Sequence, residues 1–310
     1  MTTDPVSQLA ASAGQVKDAP IITADELKEA TGIELQDDGN SVEMTEWDKQ
    51  TIEKLQGYIV DPLEDNPYTK VLLYGGVGAG KTKAACTAPK PLLIAIERGQ
   101  STLYNHPEIL AKGIKVMKFI SVQQVEDFAD MLKRGYFPEF ETIILDTFSE
   151  LQYVALDNRV VAKWQQSPGT RDPYTPEGKD YQGNTQHMRR IAAAFRDIDR
   201  NVVFVCHSKD EEVGTAKAVV RRPSPTPQVN DALNQYVDVM AYMYNESTMD
   251  ADGKQEEHFF ALTRNTQTLE ARILAKTRIK SLPTLVEDLT FDWMHELKLQ
   301  QIREAKENQK

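Results

Sequence analysis

From residue 70 onward the chain alternates short apolar runs with stretches of helical period. The runs are Val71–Tyr74, Leu92–Ile96, Ile114–Met117, Thr142–Leu145 and Val202–Val205. Aliphatic runs this short and this unbroken suit strands buried on both faces of a parallel sheet. Lys81–Thr87, Val122–Arg134 and Tyr181–Asp199 read as the intervening helices, the last with Met188, Ile191, Ala192 and Phe195 on one face. The alternation predicts an α/β fold, a mostly parallel central sheet flanked by helices. After residue 235 the texture turns strand-rich. Val237–Tyr244 and Glu257–Leu262 flank a turn containing Asp252-Gly253, which predicts C-terminal antiparallel strands. Residues 270–276 suggest one more strand, and Leu289–Lys310 a terminal helix with a polar end.

The first 68 residues have a different texture. Residues 1–22 are small, polar and unpatterned, the composition of a disordered segment. Two helices are expected after them: Glu26–Ala30, capped by Thr23 or Asp25, and Thr45–Tyr58, with Trp47, Ile52 and Leu55 on one stripe. The predicted organisation is therefore a disordered start (1–22), a helical arm (23–68), the α/β core (69–288) and a C-terminal helix or tail (289–310).

Composition narrows the function classes. With 40% hydrophobic and 27% charged residues, the 310-residue chain has ample material for a core. No apolar run reaches the ~20 residues of a membrane span, and the N-terminus lacks the basic start and apolar stretch of a secretory signal. The two cysteines, Cys86 and Cys206, sit in apolar segments and read as reduced core residues of a cytoplasmic protein. Five scattered histidines offer no zinc spacing. A net charge of -11 excludes a uniformly basic nucleic-acid-binding surface, though not a local basic loop.

The chemistry begins directly after the first strand. Gly75-Gly76-Val77-Gly78-Ala79-Gly80-Lys81-Thr82 satisfies G-x-x-x-x-G-K-[ST] in full, with Lys83 continuing into the helix. Glycines let backbone N–H groups curl around phosphates, the lysine reaches the β- and γ-phosphates, and the threonine ligates Mg²⁺. ATP with Mg²⁺ is the expected cofactor pair. Asp146 ends the strand Thr142–Leu145 and is the candidate second metal group, the alternative being a cap for the next helix, Phe148–Val161. Glu97 ends the strand after the P-loop helix and is the candidate for activating water, against a surface Glu paired with Arg98. His207 ends the strand Val202–Val205, either sensing the γ-phosphate or satisfied within the core.

These positions in this order resemble the RecA-type ATPase core, and more narrowly the phage-encoded RecA-like nucleotide-binding proteins, which include single-strand annealing proteins and recombinases. The matching segments are Tyr74–Thr82, Ile96–Gly99, Ile144–Thr147, Val205–Ser208 and Ala275–Arg278, spanning residues 70–285. The resemblance implies ATP hydrolysis coupled to single-stranded DNA in recombination, annealing or replication. It also implies a ring or filament with nucleotide at subunit interfaces, contact with a single-strand DNA-binding protein, and a place in the host cytoplasm. Lys276 and Arg278 would then touch the γ-phosphate of a neighbour, the alternative being a basic strand end or a backbone-phosphate contact. DNA would meet two mobile loops. The first is Trp164–Asp180, with Lys163, Trp164, Arg171, Tyr174 and Lys179. The second is Ser208–Gln228, with Lys209, Lys217, Arg221 and Arg222. Aromatics interleaved with cations suit stacking on single-stranded bases; the alternative for both is a solvated insertion or a lid. A P-loop small-molecule kinase and a non-catalytic, nucleotide-dependent assembly module are the competing functions.

Overall fold

A computed structural model describes residues 45–57, 59–63, 67–97, 99–215, 217–249 and 255–309. The expected disorder of residues 1–22, the helix at Glu26–Ala30, Arg98 and the turn at Asp252-Gly253 lie outside the described residues. The chain divides into two units, Met1–Asp65 and Asn66–Lys310. In the first, helix α1 spans Glu46–Gln56. Thr45 caps it reciprocally with Asp48: the Asp48 N–H donates to Thr45 Oγ1 and the Thr45 N–H to Asp48 Oδ2.

The second unit opens with β1 (Lys70–Gly75), α2 (Lys81–Cys86) and β2 (Pro91–Ala95). A 3₁₀ turn (Gly99–Asn105), α3 (Pro107–Leu110), β3 (Lys115–Lys118), α4 (Val122–Lys133) and β4 (Thr142–Asp146) follow. Next come the 19-residue helices α5 (Phe148–Gln166) and α6 (Gly178–Arg196), then β5 (Asn201–Val213), β6 (Ala218–Pro223) and α7 (Pro227–Tyr236). The C-terminal part holds β7 (Val239–Met249), β8 (Gln255–Leu262) and the two-residue strands β9 (Thr266–Gln267), β10 (Arg272–Ile273) and β11 (Lys276–Thr277). It closes with β12 (Leu285–Glu287) and α8 (Phe291–Glu307).

The main sheet runs β3-β2-β4-β5-β1-β7-β8-β12. Its first six strands are parallel, and β8, β12 and β11 join antiparallel. The apolar runs are strands because each side of the sheet has a partner layer. One parity (Leu72, Tyr74, Ile143, Leu145, Phe204) packs against α4, α5, α6 and α7. The other (Val71, Leu73, Ile144, Val203, Val205) packs against α2, the 3₁₀ turn and α8. The C-terminal helix is thus a layer of the core, through Phe291 and Met294.

The main departure from expectation is β5. Its first half lies between β1 and β4, but from Ser208 it leaves the main sheet and pairs antiparallel with β6. The expected mobile loop Ser208–Gln228 is therefore a β-ribbon followed by a helix. Acids on β5 meet the basic residues of β6 in this register: Asp210 pairs with Arg221 directly opposite, and Glu211 with Arg222.

At Gly75 the β1–β7 pairing is so close that a Cβ would overlap the Met243 carbonyl oxygen, a backbone atom that has nowhere to go. Gly75→Ala is expected to lower stability by about 1–3 kcal/mol, the usual cost of overpacking. Thermal unfolding of the purified variant measures it, and an unchanged Tm would contradict the close approach.

Candidate active site

The strand order brings together residues far apart in sequence. β2, β4, β5 and β1 are consecutive neighbours, all parallel, so their carboxyl ends share one edge. Ala95 lies opposite Asp146, Asp146 opposite Val205, and His207 opposite Gly75. Glu97, Asp146, His207 and the P-loop therefore converge where open α/β sheets bind ligands.

The loop between β1 and α2 turns through Gly78 and Gly80, both at φ 77°. Gly80 has a second reason to be glycine, since a Cβ there would stand 2.8 Å from Phe259 Cδ1. Val77 at the loop tip is 91% exposed, whereas Ala79 is buried. Lys81 is buried too, and its Nζ donates to the carbonyls of Gly75 (3.1 Å) and Gly76 (2.5 Å). Lys83 lies over the Phe259 ring and 3.6 Å from Asp288. Beside the loop, a cleft of ≈ 300 Å³ is lined by Thr102, Asn105, His106, Glu257 and Phe259 as well as by Gly78–Lys83. Its size falls at the lower end of small-ligand sites.

The carboxylates are held in different ways. Thr82 Oγ1 donates to Asp146 Oδ2 at 2.7 Å. Asp146 is buried, and burial pushes its pKa up; Thr82 and Lys81 pull it down while Glu97 opposes them. Burial likewise pushes the Lys81 pKa down, and Asp146 counters it. The cap of α5 is Thr147, whose Oγ1 accepts from the Glu150 N–H at 3.2 Å, so Asp146 is left for other work. Glu97 does not stand alone at the surface. Its Oε1 accepts from Thr147 Oγ1 at 2.5 Å and meets His207 Nε2 at 2.8 Å. The His207 backbone N–H in turn donates to Ser149 Oγ at 3.0 Å.

Thr82 and Asp146 offer hard oxygen donors, the kind that suits Mg²⁺. Among the described residues no group of three or more His, Cys, Asp or Glu is placed to hold a metal. The donor set fits an ion that brings phosphate oxygens with it, as Mg²⁺ does.

The family model for an AAA domain matches residues 68–278, more than half of the chain. The chain belongs to that AAA-domain family. No curated protein matches it. Solved structures similar to it include the flagellar accessory protein FlaH from Methanocaldococcus jannaschii, 9% identical, covering 71% of this chain and 84% of that one at a TM-score of 0.34. The RadB recombinase is 11% identical, covering 73% and 91% at a TM-score of 0.36. Family membership and the P-loop geometry agree on a nucleotide-binding domain of ATPase type.

The remaining candidate residues of this AAA domain lie elsewhere. Trp164 is in the last turn of α5, not in a loop, because the helix runs on to Gln166. The connection to α6 is pinned by Asp180, whose side chain is fully buried. Asp180 takes Lys163 (2.6 Å) and Arg171 (2.5 Å), with Arg159 at 3.9 Å, and also accepts the Glu177 N–H. Lys163 and Arg171, expected as DNA contacts, are therefore both engaged with Asp180 in this structure. Tyr174 and Lys179 remain exposed. In the ribbon, Arg221 makes a two-pronged pair with Asp210, Arg222 pairs with Glu211, and Lys217 lies 3.6 Å from Glu212. The expected basic loop is thus close to charge balance, with Lys209 half-buried beside Arg222.

Lys276 and Arg278 are at the wrong end of the sheet to reach their own P-loop. β11 pairs with β7 at Met240 and Val239, and Arg278 donates its N–H to the Asp238 carbonyl, level with Lys70 at the start of β1. Five residues of strand, roughly 17 Å, separate that level from Gly75. Both cations instead bind carbonyls at the end of α7, those of Asn234 and Gln235. Burial lowers the Lys276 pKa to about 8, with Arg278 adding to the shift. A γ-phosphate contact from this pair has to be made to another molecule.

Asp180 holds three cations, and the Arg171 hydrogen bond in particular keeps its carboxyl far below the usual range. A depressed carboxylate contributes stability that is complete above its ordinary value of 3.8 and is lost as pH falls below it. Asp180→Ala is expected to cost about 2–4 kcal/mol, on the low side for one partner of a buried pair because Lys163 and Arg159 keep some water. Urea unfolding at pH 7 and pH 3 tests this: the difference between wild type and variant should shrink at the lower pH.

Proposed function

We propose that this AAA domain binds Mg·ATP at the P-loop and hydrolyses it, with Glu97 as the general base. The observation that carries the reading is the convergence of two differently held carboxylates on the P-loop edge. Asp146 is hydrogen-bonded to the P-loop Thr82, whereas Glu97 is clamped by Thr147 and His207.

The roles follow from those contacts. Lys81 already has its ammonium turned into the loop, and exchanging the Gly75 and Gly76 carbonyls for phosphate oxygens puts its charge on the β- and γ-phosphates. Thr82 and Asp146 would hold Mg²⁺, which supplies neutralisation of charge on the phosphate oxygens. Both recorded bonds to Glu97 fall on Oε1 and leave Oε2 to take the proton of the attacking water. His207, sharing the same oxygen, links the γ-phosphate end of the site to β5. The neighbouring cleft would seat the nucleoside, with Phe259 as its flat wall. The competing reading is a small-molecule kinase, in which Glu97 would take the proton of an acceptor hydroxyl instead of water.

We extend the reading to single-stranded DNA as a stimulus of turnover, in recombination, annealing or replication. Support comes from Tyr174, 89% exposed, and the exposed Lys179, which stand on the segment braced by Asp180. An aromatic with a nearby cation suits stacking and phosphate contact.

Glu97→Gln is expected to lower ATP turnover by about 10²-fold or more while leaving nucleotide affinity within a few-fold. Steady-state hydrolysis and a fluorescent-nucleotide titration measure the two separately, and unchanged turnover would remove Glu97 from the mechanism. For the DNA arm, adding single-stranded DNA should raise turnover, with a stimulation that fades as salt rises. If turnover is the same with and without DNA at low salt, the DNA role falls and the ATPase stands.

A further inference from the structure

The general base has a neighbour with no role so far. Thr147 follows Asp146 and caps α5, and Thr-x-x-Glu is the ordinary signature of such a cap. Its hydroxyl, however, has one proton, and the geometry spends that proton on Glu97 Oε1 at 2.5 Å. A cap requires only the oxygen as acceptor, which the Glu150 N–H already uses at 3.2 Å. The donor half of the hydroxyl is therefore surplus to the cap. Thr147 is 3% exposed, so water does not compete for that half.

The effect on Glu97 is specific to one oxygen. With its proton on Nε2, His207 donates to the same Oε1 at 2.8 Å. Two donors on Oε1 draw its electron density and fix the plane of the carboxylate, so Oε2 is both the more basic oxygen and the one without a protein donor among the described residues. The Glu97 backbone is fixed independently, its N–H donating to the Asp146 carbonyl at 3.2 Å. What the backbone leaves undetermined is side-chain rotation, and Thr147 removes it.

We propose that Thr147 is a positioning residue for hydrolysis: its hydroxyl orients Glu97 so that Oε2 faces the attacking water. This inference rests on Glu97 being the base. It adds that the strand-ending segment Asp146-Thr147 serves both halves of the chemistry, the first residue through the metal and the second through the base. Because positioning of a base matters in the transition state and little in the ground state, its loss should appear in kcat and leave nucleotide affinity alone.

The test compares Thr147→Val, which loses the hydroxyl at nearly constant volume, with Thr147→Ser, which keeps it. Turnover is measured at saturating Mg·ATP, and affinity by titration of a fluorescent ATP analogue. The expected result is a kcat roughly tenfold or more lower for Thr147→Val, an analogue Kd within about twofold of wild type, and recovery to within about threefold in Thr147→Ser. If loss of the cap keeps Thr147→Val from folding, Thr147→Gly replaces it. Glycine is well tolerated at a helix N-cap and has no hydroxyl for Glu97, so the same drop in kcat is expected. Wild-type turnover in Thr147→Val or Thr147→Gly would overturn the proposal, as would a Thr147→Ser variant as slow as either. A wild-type protein that binds the analogue but does not hydrolyse ATP would instead bring down the ATPase reading itself.

Discussion

A buried ammonium and a buried carboxylate stand near one another at the carboxyl edge of the sheet, close enough for each to feel the other's charge. Neither Lys81 nor Asp146 is solvated, and burial disfavours the charged form of both. Such a pair persists only where each charge has close polar partners. Lys81 finds them in two P-loop carbonyls, and Asp146 in the Thr82 hydroxyl. The rest of the architecture serves that requirement. β1 and β4 must end at the same edge on either side of β5, Gly75 must let β7 come close, and Gly80 must let Phe259 in. A site built this way is poised for a ligand carrying both charges, phosphate for the lysine and a cation for the aspartate.

The first turn of α5 organises the other half of the edge. Thr147 reaches Glu97 on the β2 side, and Ser149 reaches the His207 backbone on the β5 side. One short segment thus ties together two residues 110 positions apart in sequence. β5 then carries on, without a break, from the site into the ribbon with β6. His207 sits at the point where the strand changes sheets, so the partner of Glu97 Oε1 is carried on the same strand as the ribbon.

Much of this was legible in the sequence. The α/β class, the parallel runs and the P-loop followed from apolar periodicity and an eight-residue motif, both local signals. Glu97, Asp146 and His207 were found because each ends an apolar run, and parallel strands deliver their ends to one edge. Thr147 had no role of its own in the sequence, where the cap of the next helix fell as readily to Asp146. The Thr147 bond to Glu97 depends on β2 and β4 being neighbours, an order that no local pattern encodes. The same limit explains the loops. Residues 163–180 and 208–228 look irregular and rich in available cations when read in isolation, because Asp180, Asp210 and Glu211 count as ordinary surface acids until the fold aligns them with Arg171, Arg221 and Arg222.

That pairing bears on how an acidic chain could meet an acidic polymer. With a net charge of -11, long-range electrostatics oppose approach to nucleic acid. Cations already satisfied by carboxylates gain little from a phosphate, since one ion pair must be broken for each one formed. Fully buried Asp180, holding two close cations and a third at 3.9 Å, is the extreme case. Affinity for single strands through these two segments would therefore rest mainly on stacking, which carries no such exchange cost, with exposed lysines adding a salt-sensitive increment. The physical weight of the DNA reading accordingly shifts from the arginines of the ribbon to Tyr174 and its surroundings. There the backbone is braced from beneath by Asp180, while the aromatic ring is left to solvent.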